Sequence, residues 1–223
     1  MHLTIDHTWI GIGALIGAAA SAVVYAADFL MLGKPRLSRT FSSIGVITQI
    51  NDTRLYWGCV LGVLFIPVMI FGVVAVAAQF VAHSIAAALF VLVTWTLFLA
   101  LGSAVHNGFG YLGQVAKAKS HFGDSAIPPC FSAAEREQTR YFKAVVTVSF
   151  SLFALGSFVF SAMVLAGFSR YPWWVGFWCP FLILVIARES YRFLPPVAAP
   201  WISPTCVQIA LLPLFVATFF WAA

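Results

Sequence analysis

From Leu55 to Asn107 the chain carries no Asp, Glu, Lys or Arg. A helix crossing the hydrocarbon of a bilayer needs about 20 mostly apolar residues. This stretch is too long for one crossing and predicts two, turned at the weakly polar Ala82-His83-Ser84. Read the same way, the whole chain yields six runs, at 8–32, 55–80, 84–107, 142–168, 172–190 and 202–222. Composition agrees: of 223 residues, 62% are hydrophobic and 9% charged, against about 25% charged in a soluble domain. So little polar surface cannot cover a soluble core, and lipid is the expected solvent. The opening MHLTIDHTW places no Lys or Arg ahead of the first run, so a cleaved secretory signal is not expected.

Basic residues set the orientation. Lys34, Arg36, Arg39 and Arg54 follow the first run. Lys117, Lys119, Arg136, Arg140 and Lys143 follow the third, and Arg188 and Arg192 close the fifth. Of the 12 Lys and Arg, Arg170 alone falls on the other side. Cytoplasmic loops carry the excess of Lys and Arg. The expected fold class is therefore an all-α membrane protein: a six-transmembrane-helix bundle, both termini on the extracytoplasmic side, in a single domain. Trp9, Trp173, Trp174 and Trp221 fall at expected outer ends and Trp57 and Trp201 at inner ends, as an aromatic belt requires. Trp95 and Trp178 lie deeper and read as packing residues. Pro67, Pro180, Pro204 and Pro213 predict kinks. The four cysteines form no C-x-x-C and read as free thiols. Between the first two runs, Phe41 to Ile50 reads as a short interfacial segment. Ser132-Ala133-Ala134-Glu135 matches a capping box, which starts the fourth helix near residue 133.

The polar residues within the spans are few. On a wheel of 100° per residue, Gly13, Gly17, Ser21, Val24 and Asp28 share one face of the first span, with Tyr25 at its border. Small residues at this spacing let another helix approach closely. On the third span Trp95, Leu99, Gly102, Ser103, His106, Gly110 and Gly113 share a face, with Asn107 beside His106. The glycines there permit a turn or close packing. Arg54 opens span two, Glu189 closes span five, and Tyr111 lies at similar depth. Ionisable groups inside spans face a bundle interior or a wet cavity. The candidate cluster is thus Asp28, Arg54, Ser103, His106, Asn107, Glu189, Tyr25 and Tyr111, all at the cytoplasmic boundary, while the outer half of the bundle reads as nearly free of polar groups.

Two accounts fit. In one, the groups pair structurally: Asp28 with Arg54, Glu189 with its arginine neighbours, His106 with a backbone carbonyl. In the other they line a pocket open to the cytoplasm or inner leaflet. There Asp28 is a base or counter-charge, His106 is the residue type that changes charge near neutral pH, and Arg54 holds a phosphate or carboxylate.

Three short motifs occur in order. Ala27-Asp28-Phe29-Leu30-Met31-Leu32-Gly33 ends the first span. Arg54-Leu55-Tyr56-Trp57-Gly58-Cys59-Val60-Leu61-Gly62 opens the second, with Pro67 beyond, and Gly102-Ser103-Ala104-Val105-His106 ends the third. This order resembles an uncharacterised family of six-span bacterial integral membrane proteins, over residues 10–113. The resemblance implies the architecture, a bacterial inner-membrane location and the choice of Asp28, Arg54 and His106. It implies no activity.

Three functions remain open. The first is binding or moving a lipid or small amphipathic molecule at a polar pocket near the cytoplasmic leaflet. Neither an inverted repeat nor a channel filter is visible. The second is an intramembrane, hydrolase-like lipid-modifying enzyme using Asp28 and His106. One histidine and two carboxylates at the right depth lack an H-x-x-x-H pair, so no metal and no other cofactor is expected. The third is a structural subunit of a membrane complex, with the small-residue face of the first span as its interface. No basic stripe suggests nucleic acid. The expected partners are the bilayer, an amphipathic ligand, and another copy or a second subunit.

Overall fold

The computed structural model describes residues 7–33, 47–122, 129–190, 193–195, 201–202 and 207–222, which are helical with short connections and contain no strand. Helix α1 spans His7–Leu32, α2 Asp52–Val68, α3 Ile70–Val81, α4 Ile85–Phe122 and α5 Pro129–Leu165. A 3-10 turn at Trp173–Phe177 leads into α6, Pro180–Ser190, and α7 is Gln208–Ala222. Among the described residues, four rods are long and apolar enough to cross a membrane: α1, α2 with α3, α4 and α5. Their outer surfaces carry exposed Leu15, Ile16, Leu64, Phe71, Val93 and Phe158, among others.

Local signals set the ends. Asn51 caps α2 by accepting from the Arg54 N–H at 2.8 Å, and Ser84 Oγ caps α4 by accepting from Ala87 N–H at 3.2 Å. The expected tight turn at Ala82-His83-Ser84 is present. Pro67 has no N–H to give, and the helix is interrupted at Met69, which divides one rod into α2 and α3. After α5, Gly167 turns the chain at φ 78°, and Phe168 N–H reaches back to Met163 O at 2.9 Å. This pattern, with glycine in the left-handed position, satisfies carbonyls that the helix end leaves open.

The rods close into a ring. α1 packs between α7 and the α2–α3 rod, that rod against α4, α4 against α5, and α6 bridges thinly between α5 and α7. The small-residue face of α1 is used inside the chain. A Cβ at Gly17 would strike the backbone of Gly72 on α3, and one at Gly13 would lie 3.0 Å from Phe71 O. The face that suggested a subunit interface is thus already covered. His7 Nδ1 lies 3.1 Å from Ala222 O, so the start of α1 and the end of α7 share one end of the bundle. The α3–α4 turn and Arg170, whose N–H bonds Gln79 O at 3.0 Å, share it too. Trp174 and Trp221 meet there edge to face, 5.5 Å apart. The opposite end carries Arg54 and the ion pairs Lys117–Asp52 (2.5 Å) and Lys119–Glu135 (2.6 Å).

Several expectations change. Of the turn or close packing that the glycines after His106 permit, close packing is the outcome, and the helix does not end at residue 107. α4 runs on to Phe122, because Gly108 faces Phe142, Gly110 faces Cys59 and Gly113 faces Ile47 and Leu55. α5 begins at Pro129, not near 133, since proline suits a first helical position. Ser132 therefore lies inside the helix, and Glu135 pairs with Lys119. The fifth apolar run is helical from Pro180 only, which starts α6 rather than kinking it. Ile47 and Ile50 are buried against Met31, Leu55 and Phe109 rather than lying on a surface. Residues 41–46, with Lys34, Arg36, Arg39, Arg192, Pro204 and Cys206, lie outside the described residues. Cys59, Cys130 and Cys179 are free thiols.

Trp95 is buried at the centre of the main core, within 5.7 Å of Phe160 and 6.1 Å of Phe153 between ring centroids. Gly156 gives it room, since a Cβ there would touch the indole. Trp178 is exposed rather than packed inside, and it anchors α7 through Nε1–H to Ala210 O at 3.0 Å.

Candidate functional site

Glycines on α2 decide where the site forms. At Gly58 a Cβ would strike the Met31 side chain of α1. One turn on, at Gly62, a Cβ would overlap the His106 imidazole of α4. α2 is thus stripped of side-chain bulk on both contacts, and α1 and α4 each pack close against it, so that side chains from the two meet. Asp28 Oδ1 then lies 3.2 Å from His106 Nε2. Both residues are buried, 3% and 7% exposed. Asp28 Oδ2 and His106 Nδ1 have no hydrogen-bond partner.

The pair forms part of the wall of a cavity of about 490 Å³, enclosed by α1, α2 and α4 through α7. Its lining grades along the bundle. Asp28, His106, Arg188 and Gln208 lie toward the basic end, and Ile66, Phe98, Leu99, Phe150 and Phe181 lie deeper. Exposed Thr147 on α5 and exposed Val185 and Arg188 on α6 also line it, so it reaches the surface between these two helices. α6 has 11 residues, roughly 16 Å at 1.5 Å per residue, too short to seal the seam.

The other candidates disperse. Arg54 does not meet Asp28. From the first turn of α2 its Nη2 donates to Phe29 O (3.1 Å) and Gly33 O (3.4 Å), where a cation suits the negative end of α1. His106 pairs with a carboxylate rather than a backbone carbonyl. The Tyr25 hydroxyl donates to Trp201 O, and Phe29 stacks on the Trp201 ring at 4.7 Å, so this edge of α1 holds the chain before α7. Ser103 Oγ is buried without a hydrogen-bond partner and does not line the cavity. Asn107, Tyr111 and Glu189 are exposed. Among the described residues, no three His, Cys, Asp or Glu come together as a ligand set for a metal ion.

Sequence reasoning passed over Gln208, 5% exposed with Oε1 unpartnered. It lies at the margin of the last apolar run, where a polar residue draws no notice. It also underrated the half of the bundle toward the termini, where Gln79, Ser157, Ser161 and Thr218 are buried. Gln79 sits inside the charge-free stretch and was hidden by scanning for charge. Here Thr218 donates to Leu214 O at 2.7 Å and so accepts from the Tyr171 hydroxyl at 2.6 Å. Burial raises the Tyr171 hydroxyl above its ordinary range, offset in part by this bond. These groups are neutral. The buried ionisable pair belongs to the basic end.

A family model, described as a family of unknown function (DUF6796), matches residues 8–222. The chain belongs to this family. The match covers both halves of the ring and every residue of the cavity wall. No curated protein and no solved structure matches the chain.

The Gly62 contact is directly testable. Gly62→Ala is expected to push the imidazole off Asp28 and to destabilise the fold by about 1–3 kcal/mol, as overpacking does. Gly102→Ala is the control, since its Cβ would meet Ile66 at an ordinary 3.5 Å. Thermal melts in mild detergent and the NMR shifts of labelled His106 provide the readout. Unchanged His106 signals in the Gly62 variant would contradict the arrangement.

Proposed function

We propose that this is a six-span membrane protein, both termini outside, that binds a lipid-like or small amphipathic molecule in the cavity beside Asp28 and His106. The observation that carries the reading is a buried carboxylate–imidazole pair in the wall of a mostly apolar cavity. Pockets of a few hundred Å³, apolar with a few convergent polar groups, are the usual form of small-molecule sites. The seam between α5 and α6 opens sideways from the bundle. In a bilayer a ligand would enter from the inner leaflet rather than from water. The direction of insertion rests on the basic residues, which cluster at the Arg54 end and leave Arg170 at the other. The expected location is the bacterial inner membrane.

The same pair favours a second reading, an intramembrane lipid-modifying enzyme, because a carboxylate that orients an imidazole is the base half of many hydrolytic sites. A third, a subunit of a larger assembly, has lost its main support to the packing of α1. Mass spectrometry of molecules that travel with the purified protein separates them. The binding reading expects one amphipathic species at near-stoichiometric amount, reduced at least tenfold in Asp28→Asn with the fold retained. Turnover of a lipid substrate would favour the enzyme. An empty cavity in both proteins would remove the binding reading.

A further inference from the structure

Two residues of the cavity wall each hold a buried oxygen acceptor with nothing to accept. Asp28 gives one oxygen to His106, and its Oδ2 is buried and unpartnered. Gln208, 5% exposed at the start of α7, holds its Oε1 in the same state. Both residues line the same cavity. An unmatched buried acceptor is costly, and a bond from a charged donor is stronger than one between neutral groups. A head that donates therefore relieves both oxygens, and a head that only accepts adds repulsion. The charged or ionisable residues in the wall are Asp28, His106 and Arg188. Arg188 is exposed at the basic end of the seam, where the end of the bundle meets water and salt, whereas Asp28 is inside.

Size narrows the ligand further. Along α4 the lining runs from Phe98 to Phe109, a rise of roughly 16 Å. At about 30 Å³ per water-sized group, a cavity of about 490 Å³ holds roughly 16 such groups. That is room for one alkyl chain with a small head.

Building on the binding reading above, we infer that the cavity takes a single-chain amphiphile with a primary ammonium head. The ammonium donates to Asp28 Oδ2 and Gln208 Oε1, and the chain lies along Ile66, Leu99, Phe150 and Phe181.

The test titrates the protein in lipid nanodiscs with dodecylamine, dodecyltrimethylammonium and dodecanoate, reading binding by native mass spectrometry. The three share a chain length. The first is cationic and donates, the second is cationic and cannot donate, and the third is an anionic acceptor. Dodecylamine is expected to bind about tenfold or more tightly than either of the others. In Asp28→Asn/Gln208→Leu that preference should shrink to about twofold while chains still bind. If the double variant does not fold, the wild-type ranking alone decides. Equal binding of the two cations, or tighter binding of dodecanoate, would overturn the ammonium head and leave the amphiphile cavity standing. Saturable binding of none of the three would overturn both.

Discussion

His106→Leu is expected to cost about 3–5 kcal/mol of stability, because it leaves the Asp28 carboxylate buried with no partner. Among the described residues the imidazole is the polar partner of that carboxylate, at 3.2 Å, and Oδ2 has no other donor to fall back on. Adding Asp28→Asn to the His106→Leu protein should recover most of the loss. An uncharged amide of the same shape is far cheaper to bury than an unpaired carboxylate. The single substitution Asp28→Asn should cost less than His106→Leu, since an amide oxygen in the same place can still accept from the imidazole Nε2–H. The two changes are therefore strongly non-additive, with a coupling of more than about 1 kcal/mol, as residues in direct contact show. A double-mutant cycle of unfolding in mild detergent measures it. Additivity within about 0.3 kcal/mol would mean that the two side chains do not interact.

Trp95→Ala should cost about 3 kcal/mol, the lower end of the range for deleting a large buried aromatic. The low end applies because helices that associate within lipid gain little from leaving water. What is lost is the contact of the ring with its neighbours and the void left behind. Trp95 touches Phe153 and Phe160 of α5, and Phe160 in turn meets Phe80 and Tyr171. The damage therefore spreads across the α3–α4–α5 interface. Trp95→Phe should lose less than about 1.5 kcal/mol, because it keeps most of the volume and the indole Nε1 has no partner to lose. Loss of folded protein at a lower temperature in the alanine variant, with the phenylalanine variant close to wild type, is the expected pattern. Equal melting of all three proteins would show that Trp95 is not a core residue.

Periodicity made the faces legible. Gly13, Gly17, Ser21, Val24 and Asp28 were grouped by a 100° rotation alone, and the structure buries that stripe against α3 and its neighbours. The same repeat sets the face running from Trp95 through Gly102 and His106 to Gly113: its Trp95 end packs on α5, and the rest packs on α2 and the Ile47 segment. A periodic pattern survives folding because each helix is a rigid rod with a fixed angular repeat. What periodicity does not carry is the identity of the residue opposite. Arg54 was the natural partner for Asp28 on charge. It turned instead to the open carbonyls at the end of α1, which lay within its reach.

Helix ends inside apolar runs were the hardest to place. Glycine and proline act through neighbours that a single chain does not reveal. The glycines after His106 permit either a turn or close packing, and the structure uses them as contact points. Pro180 looked like a kink and proved to be a start. Apolar length and the absence of charge by themselves determined that this chain makes long helices suited to lipid, and the angular repeat determined which side of each helix would be covered. Only the tertiary structure decided that Asp28 meets His106. That meeting depends on two glycines of a third helix, Gly58 and Gly62, whose missing side chains let α1 and the His106 ring of α4 lie close against it. It depends on distances between rods, which no local pattern along the chain encodes.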